Sequence, residues 1–526
     1  MTPPPSGRNG LSGPGRRAML RMSGVTAGAL LAGAGLAGAS AEAAGPAVRL
    51  PDDPFRLGVA SGEPAEDGFV LWTRLVPDPT ALDGHGGMPP TAYDVEWEVA
   101  EDEGFRRVVR RGRAVAVPEL AHSVHPRVTG LRPGRQYFYR FRAAGRLSPA
   151  GRVRTAPSAR SGGGAFTFAT ASCQAWYHGH FSAYRGMAAD DPDVVLFLGD
   201  YIYEYAITAR NLWRRGVTLG EGHDAETNSL ARYRVRYGLT KSDPDLRAAH
   251  AAAAWVLTPD DHEVQNDYAD ETSYYGLDPA AFRRRRAAAY RAYYENTPLP
   301  PAALAHGPDA RFHRRLPYGP LADVHVLDGR QHRDGRPADA AEQADPARSL
   351  LGADQERWLY SGLRRSRARW NLLAQQVAVM RVTDSRTDQW DGFPAARQRL
   401  LDVLAEPGTS PTVVLTGDTH RAVAGDLLAD FSRPDSAVVA SELVGTSIAS
   451  DGDGSATDGY AADWLQHPWT KFYDGHRGYV LGRVTGTELT ADYRAVPYVE
   501  ADADAPVTTV ARFTVEADRP GLREAG

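Results

Sequence analysis

The sequence predicts a mixed α/β protein with a small β-sandwich in front of a larger sheet-and-helix domain. Three observations predict it. Residues 48–157 carry short strand-length runs, several of them alternating, divided by Gly, Pro and Asp turns. From residue 165 to about 515, solidly apolar strand-length runs alternate with helical ones, the texture of a sheet covered by helices. Between the two lies a small-residue linker, SARSGGG (158–164). At 526 residues the chain is too long for one ordinary domain and long enough for a large core plus an accessory one.

The elements follow in order. Arg16 and Arg17 precede an Ala/Gly/Leu-rich run and then the small residues Ala39, Ala41 and Ala43. This predicts a twin-arginine signal peptide over residues 1–44, with the Tat export machinery as a partner and a secreted, periplasmic or cell-surface destination. A short membrane anchor is the alternative reading. The run is Gly-rich and weakly apolar, which disfavours a stable membrane span, and no later segment is apolar enough for one. The sandwich strands are read in YDVEWEVA, RRVVRRGRAVAV, HSVHPRVTGL and YFYRFRAAG, about 100 residues in all with their turns. In the second domain, strands are read in FTFATASC, DVVLFLGD, WVLTPDDHE, ADVHVLDGR, WNLLAQQVAVMRV, TVVLTGDTH, AVVASELV and GYVLGRVTGTELTADYRAV. Helices are read near residues 183–189, 230–237, 245–253, 279–295, 354–367 and 395–404. The loop 445–459 reads as polar and flexible, a gate or a solvent-exposed connection. The RRRR run at 283–286 reads as a solvated helix face.

A net charge of -5 gives no basic field, so no nucleic-acid partner is expected. Only Lys241 and Lys471 are lysines among 60 basic residues, a sign of base composition more than function. The single cysteine, Cys173, excludes an intrachain disulfide, leaving a bland buried thiol or a reactive one.

Four predicted strand ends share a feature. Cys173 closes the first; Asp200 closes the second; Asp260, Asp261 and His262 close the third; Asp418 and His420 close another. In open α/β sheets functional groups collect beyond the carboxyl ends of the strands. Taken singly, an Asp after a strand is a helix cap and a lone buried Cys is inert. Taken together, carboxylates and a thiolate with no counter-ion would repel one another, and a cation removes that conflict.

The ordered motifs ASCQ, LGDYIYE, DDHEVQNDYA, RRAAAYRAYYENTPLP, LDGRQHRD, WDGFP and GDTH, with FRLGVASGEP, LWTRL and GLRPGRQYFYRF before them, resemble the PhoD-type alkaline phosphatases of the calcineurin-like metallophosphoesterase superfamily. The resemblance implies a four-layer α/β/β/α metallophosphoesterase core behind a fibronectin-like β-sandwich. It implies hydrolysis of phosphomonoesters and phosphodiesters by metal-activated hydroxide, with Fe3+ working beside Ca2+ and an alkaline optimum. A phospholipase D-type phosphodiesterase on the same site is the alternative, and a binding protein on an inactive core is a rival of another class. By the same resemblance Asp200 bridges two ions and Tyr203, three residues on, ligates iron as phenolate, while Tyr201 packs. Cys173 and His420 complete the iron set. Asp418, with Asp200 and Asp261, offers oxygen donors suited to Ca2+; Asn266 is a further candidate. His262 contacts phosphate or helps the leaving group depart. Arg291 and Arg330 are candidate phosphate binders, and Asp391 holds another calcium or caps a loop. A serine nucleophile is not expected, because no GxSxG elbow is present.

Overall fold

The computed structural model describes residues 50, 52–161 and 164–525. The signal-peptide reading of residues 1–44 lies outside them. Among the described residues no helix is long and apolar enough to cross a membrane.

Two large sheets pack face to face, each with helices on its outer side. In the first, Phe166–Ala171, Val194–Leu198 and Ala254–Thr258 run parallel at the centre. Antiparallel strands extend it on one side from Arg477–Val484 to Arg519–Glu524. The second sheet holds seven strands, with Ala322–Val326, Trp370–Ala374, Thr412–Thr416 and Val438–Val444 mutually parallel.

Period-two alternation explains the layering. Val194, Leu196 and Leu198 point between the sheets, where they meet Phe168, Val324, Leu372 and Leu415. Val195 and Phe197 point the other way, into a core shared with Tyr184, Tyr233 and Tyr290 of the covering helices. Leu373 and Val414 likewise face Leu359, Leu363 and Leu400 on the far side. Both faces of the central strands are buried, which is why their sequences are apolar without a break. The α/β/β/α core implied by the resemblance is the observed one.

The N-terminal residues divide between two sheets. Tyr93–Ala100, Val108–Ala116 and Gln136–Ala143 belong to a separate five-stranded sheet whose core is shared with Val59, Phe69, Leu71 and Ala254 of the large sheet. Val59–Ala65 instead pairs in parallel with Ala254–Thr258, so the first strands lengthen the main sheet. Gly62 permits this: a Cβ there would lie 2.4 Å from the Pro298 carbonyl oxygen. Arg74, almost fully buried, fastens the junction by donating to the Ala121 carbonyl at 2.9 Å and to Asn296 Oδ1 at 2.9 Å.

Candidate metal centre

The parallel strands of both sheets deliver their carboxyl ends to one place. Cys173 lies two residues past Ala171, Asp200 two past Leu198, and Asp260–His262 just past Thr258. Asp418 and His420 follow Thr416, and Arg330 follows Val326. Cys173, Asp200, Asp418 and His420 all take positive φ, between 58° and 60°. Left-handed backbone at non-glycine residues is costly and persists only where the surroundings impose it. The Cys173 amide donates to the Gly199 carbonyl at 3.1 Å, and the Gln174 amide to the Asp200 carbonyl at 3.0 Å. Gly199 itself leaves no room for a side chain: a Cβ would sit 2.3 Å from Asp260 Cβ.

Glu263 sets the shape of two of these turns. Its carboxylate accepts the amides of Asp200 (3.1 Å), Tyr201 (2.6 Å) and Asp260 (2.8 Å). Burial first of all pushes its pKa up, to about 7, against those three donors.

One half of the centre is built on Tyr203. Its phenol oxygen is 2.8 Å from Asp200 Oδ2, 2.9 Å from His420 Nε2 and 2.9 Å from Ser450 Oγ. Cys173, Asp200 and His420 each bring a ligand atom within 4.8 Å of the others. His420 Nδ1 lies 3.0 Å from Asp451 Oδ2, which assigns the proton to Nδ1 and leaves the Nε2 lone pair facing Tyr203. One phenol proton cannot serve both Asp200 and His420; a cation bound by all three resolves the competition.

The other half is acidic. Asp260, Asp261 and Asp418 converge within 4.8 Å, as do Asp200, Asp261 and His262. Burial first, and then the neighbouring carboxylates, hold the Asp200 and Asp260 carboxyls far above the usual carboxylate range; His262 opposes this at Asp200, and Arg330 at Asp260. Burial and the Asp200 charge likewise push up the Cys173 thiol. Asp261 is the exception: burial raises it, but Arg330 and His262 outweigh that and bring it down to about 2. Asp200 Oδ1 and Asp260 Oδ2 are buried with no hydrogen-bond partner. Orphaned carboxylate oxygens beside a thiol and an imidazole lone pair fit a bound metal, which would satisfy each of them.

His262 is held from behind. Its Nδ1 is 2.7 Å from Glu204 Oε2, and its ring lies 4.1 Å from that of Tyr203, tilted by 34°. Burial lowers its pKa, yet Glu204, Asp261 and Asp200 together raise it well above that of a free imidazole.

The remaining sequence candidates fall as follows. Arg330 reaches the centre: Nε donates to Asp260, while Nη1, 2.8 Å from Asp388 Oδ2, and Nη2, 3.4 Å from Asp261 Oδ1, make ion pairs without a hydrogen bond. It stands as a counter-charge among carboxylates. Arg291 does not come to the centre, a correction to its reading as a phosphate binder. It donates to Glu295 at 2.8 Å, one helical turn on, and to the Glu119 carbonyl of the N-terminal region. The Asn266 side-chain oxygen accepts from Tyr205 at 2.8 Å. Asp391 caps a loop, accepting the amides of Val382 (2.8 Å) and Thr383 (2.9 Å), and pairs with Arg397. Tyr201 packs in the core as read, its hydroxyl 2.7 Å from His250 Nε2. The RRRR run is not wholly solvated: Arg285 and Arg286 are buried, holding Glu226, Asp270 and Asp309. Residues 445–459 correct a second reading. Ser447, Ile448, Ala449 and Ser450 are buried, and Ser450 and Asp451 touch the centre, so the first half of this segment is a wall of it, while most of residues 451–459 face solvent.

Sequence reasoning missed Glu204, Glu263, Asp388, Gln389, Ser450 and Asp451. The first two close LGDYIYE and DDHE, so a signal existed; Gln389, which donates to Asp418 Oδ2 at 2.8 Å, sits in a loop without periodicity.

The sequence profile of the PhoD-like phosphatases matches residues 168–493, and that of their N-terminal domain matches residues 39–157. The chain belongs to the PhoD-like phosphatase family. Alkaline phosphatase D of Bacillus subtilis (strain 168) is 43% identical over 485 residues, covering 90% of this chain and 82% of that protein. A solved structure of PhoD superposes with a TM-score of 0.86 at 42% identity, over 91% of this chain and 93% of that one. Purple acid phosphatase PPD1 from yellow lupin (Lupinus luteus) seeds shares the fold, with a TM-score of 0.55 at 11% identity over 89% of this chain and 75% of that one. As a PhoD-like phosphatase the chain is a phosphoric ester hydrolase.

Proposed function

We propose that this family member is an exported alkaline phosphatase acting on phosphomonoesters and phosphodiesters, with Fe3+ and Ca2+ at its centre. The observation that carries the reading is the Tyr203 phenol set between Asp200 and His420, at 2.8 and 2.9 Å, with the Cys173 thiol in the same cluster. Cys173, Tyr203, Asp200 and His420 would hold the iron; phenolate and thiolate are anionic donors that favour the ferric state. Asp200, Asp261 and Asp418 would offer oxygen donors only, which suits Ca2+. When bound, the ions supply charge neutralisation for the phosphoryl oxygens and acidify water.

The chain's own groups do the rest. Glu204 fixes the His262 Nδ1 proton, so Nε2 is the nitrogen left to contact the ester and assist the departing alcohol. Arg330 offsets the repulsion among Asp260, Asp261 and Asp388, and with His262 it brings the Asp261 carboxyl down to about 2, so Asp261 is ionised and ready for a cation. Export in the folded state through the Tat machinery suits a protein whose centre is filled before it leaves the cytoplasm.

An aryl phosphomonoester, the matching bis-ester and phosphatidylcholine, assayed side by side, test the reading. Hydrolysis of the first two at alkaline pH, lost on chelation and restored by iron with calcium, is the expected result. Turnover of phosphatidylcholine alone would replace it with the phospholipase D-type activity, and turnover of none would overturn it.

A further inference from the structure

Beside His262, on the rim of the metal centre, lie three tyrosines, two of them half exposed. Tyr205 meets the His262 ring edge-on at 5.2 Å. The Tyr275 side chain neighbours that of Tyr205, and the Tyr274 and Tyr275 rings meet at 5.2 Å and 68°. Both are half exposed, at 50% and 52%. The Arg336 guanidinium lies 4.6 Å over the Tyr274 ring and pairs with Asp267 and Asp388. Asp388 in turn holds Arg330 of the acidic cluster, so Tyr274 is joined to the centre through Arg336 and Asp388.

The loop that presents them is fixed. The Asp270 amide donates to the Arg330 carbonyl at 3.0 Å, Ala269 and Thr272 form a β-bridge, and Ser273 donates to Gln265 at 2.5 Å. Two adjacent aromatic rings held half in water on an anchored loop are a surface built to be covered.

We propose that Tyr274 and Tyr275 form the leaving-group subsite and that its preferred occupant is a nucleoside, an inference that rests on the phosphoesterase reading above. The phosphoryl group belongs with the ions. With His262 at the ester oxygen, the organic group extends past His262, where the tyrosines stand. Flat faces with hydroxyl edges suit a planar, polar-edged base, and stacking of this kind is indifferent to which base it is. An acyl chain would want a continuous apolar groove, whereas the neighbours here are Arg336, Asn266 and Asp267. A net charge of -5 favours a free nucleotide over a nucleic-acid polymer.

Adenosine 5′-phosphate and glycerol 3-phosphate, with their methyl diesters, provide the test, because both release primary alcohols of similar acidity. Holoenzyme carrying Tyr274→Ala and Tyr275→Ala should lose about tenfold in the ratio of kcat/KM for the adenosine ester to that for the glycerol ester, mainly through KM. The double Phe variant should keep the ratio within about twofold. An unchanged ratio in the Ala variant, or an equal fall in the Phe variant, would overturn the subsite. Wild-type enzyme that turned over none of the four esters would remove the phosphoesterase reading and this inference with it.

Discussion

Glu263 shows how one side chain governs the centre without entering it. It accepts three amides from two strand ends, those of Asp200, Tyr201 and Asp260. Glu263→Gln would place an amide NH2 against one of these donors. The expected cost is about 1–3 kcal/mol in apo-protein stability, read as a lower Tm, together with reduced metal content in the purified enzyme. A variant with wild-type Tm and full metal content would make Glu263 a spectator. At this scale the sequence was legible where chemistry and spacing coincide. Asp200, Tyr203 and His420 stand at strand ends within short motifs, and they meet. Arg291 was illegible because its partners are a local glutamate and a carbonyl 172 residues away. Guanidinium groups in a chain this rich in arginine carry no positional information until the fold supplies their acids.

The helix Leu230–Lys241 carries a different lesson at the level of elements. The sequence predicts its start, but it runs four residues past the predicted end, through Gly238, whose missing Cβ lets the Pro79 carbonyl approach. A tertiary contact, not helix propensity, selects that residue. The helix closes on Lys241, almost fully buried, with Nζ 3.1 Å from the Tyr201 hydroxyl and 4.3 Å over the Trp72 ring. Burial, and then the Arg74 charge, lower its pKa from 10.5 to about 7. Because the folded value lies below the unfolded one, the unfolded chain binds the extra proton between about pH 7 and 10.5, so stability rises with pH across that window. Lys241→Met abolishes this titration. Relative to wild type, the variant should gain on the order of 3 kcal/mol more at pH 6 than at pH 9.5, measured by denaturant unfolding of apo-protein. A stability difference independent of pH would show that the tyrosine and tryptophan contacts keep the ammonium charged. Strands were legible as elements because burial on both faces leaves an unbroken apolar signature. Residues 445–450 were not, since the hydroxyls of Ser447 and Ser450 are pinned by Arg477 and the Cys173 carbonyl, partners far away in the chain.

For the whole molecule, the centre exists because two sheets end together. Gln376 ties them: its Nε2 lies 2.9 Å from Thr258 Oγ1 in the first and 3.1 Å from the Leu327 carbonyl past a strand of the second. The N-terminal region is part of this frame, since Val59–Ala65 covers the edge of Ala254–Thr258, the strand that delivers Asp260 and Asp261. Removing residues up to 157 would strip that edge and orphan the partners of Arg74 and Trp72. The truncated chain should aggregate or lose cooperative unfolding; a soluble, active fragment would show that the two regions are independent. The apolar runs marked the strands and the family resemblance implied the layers, but neither disclosed the shared sheet, because a parallel pairing between residues 61 and 254 leaves no local trace. The central claim, that distant strand tips hold ions between them, is tested most directly by the metal content and visible spectrum of the purified protein beside its Cys173→Ser variant. The account predicts wild-type protein with bound iron and calcium and a charge-transfer band that survives mild reductant, and a variant that loses the colour and most of its iron. Protein without iron, or a variant with undiminished iron and colour, would contradict it.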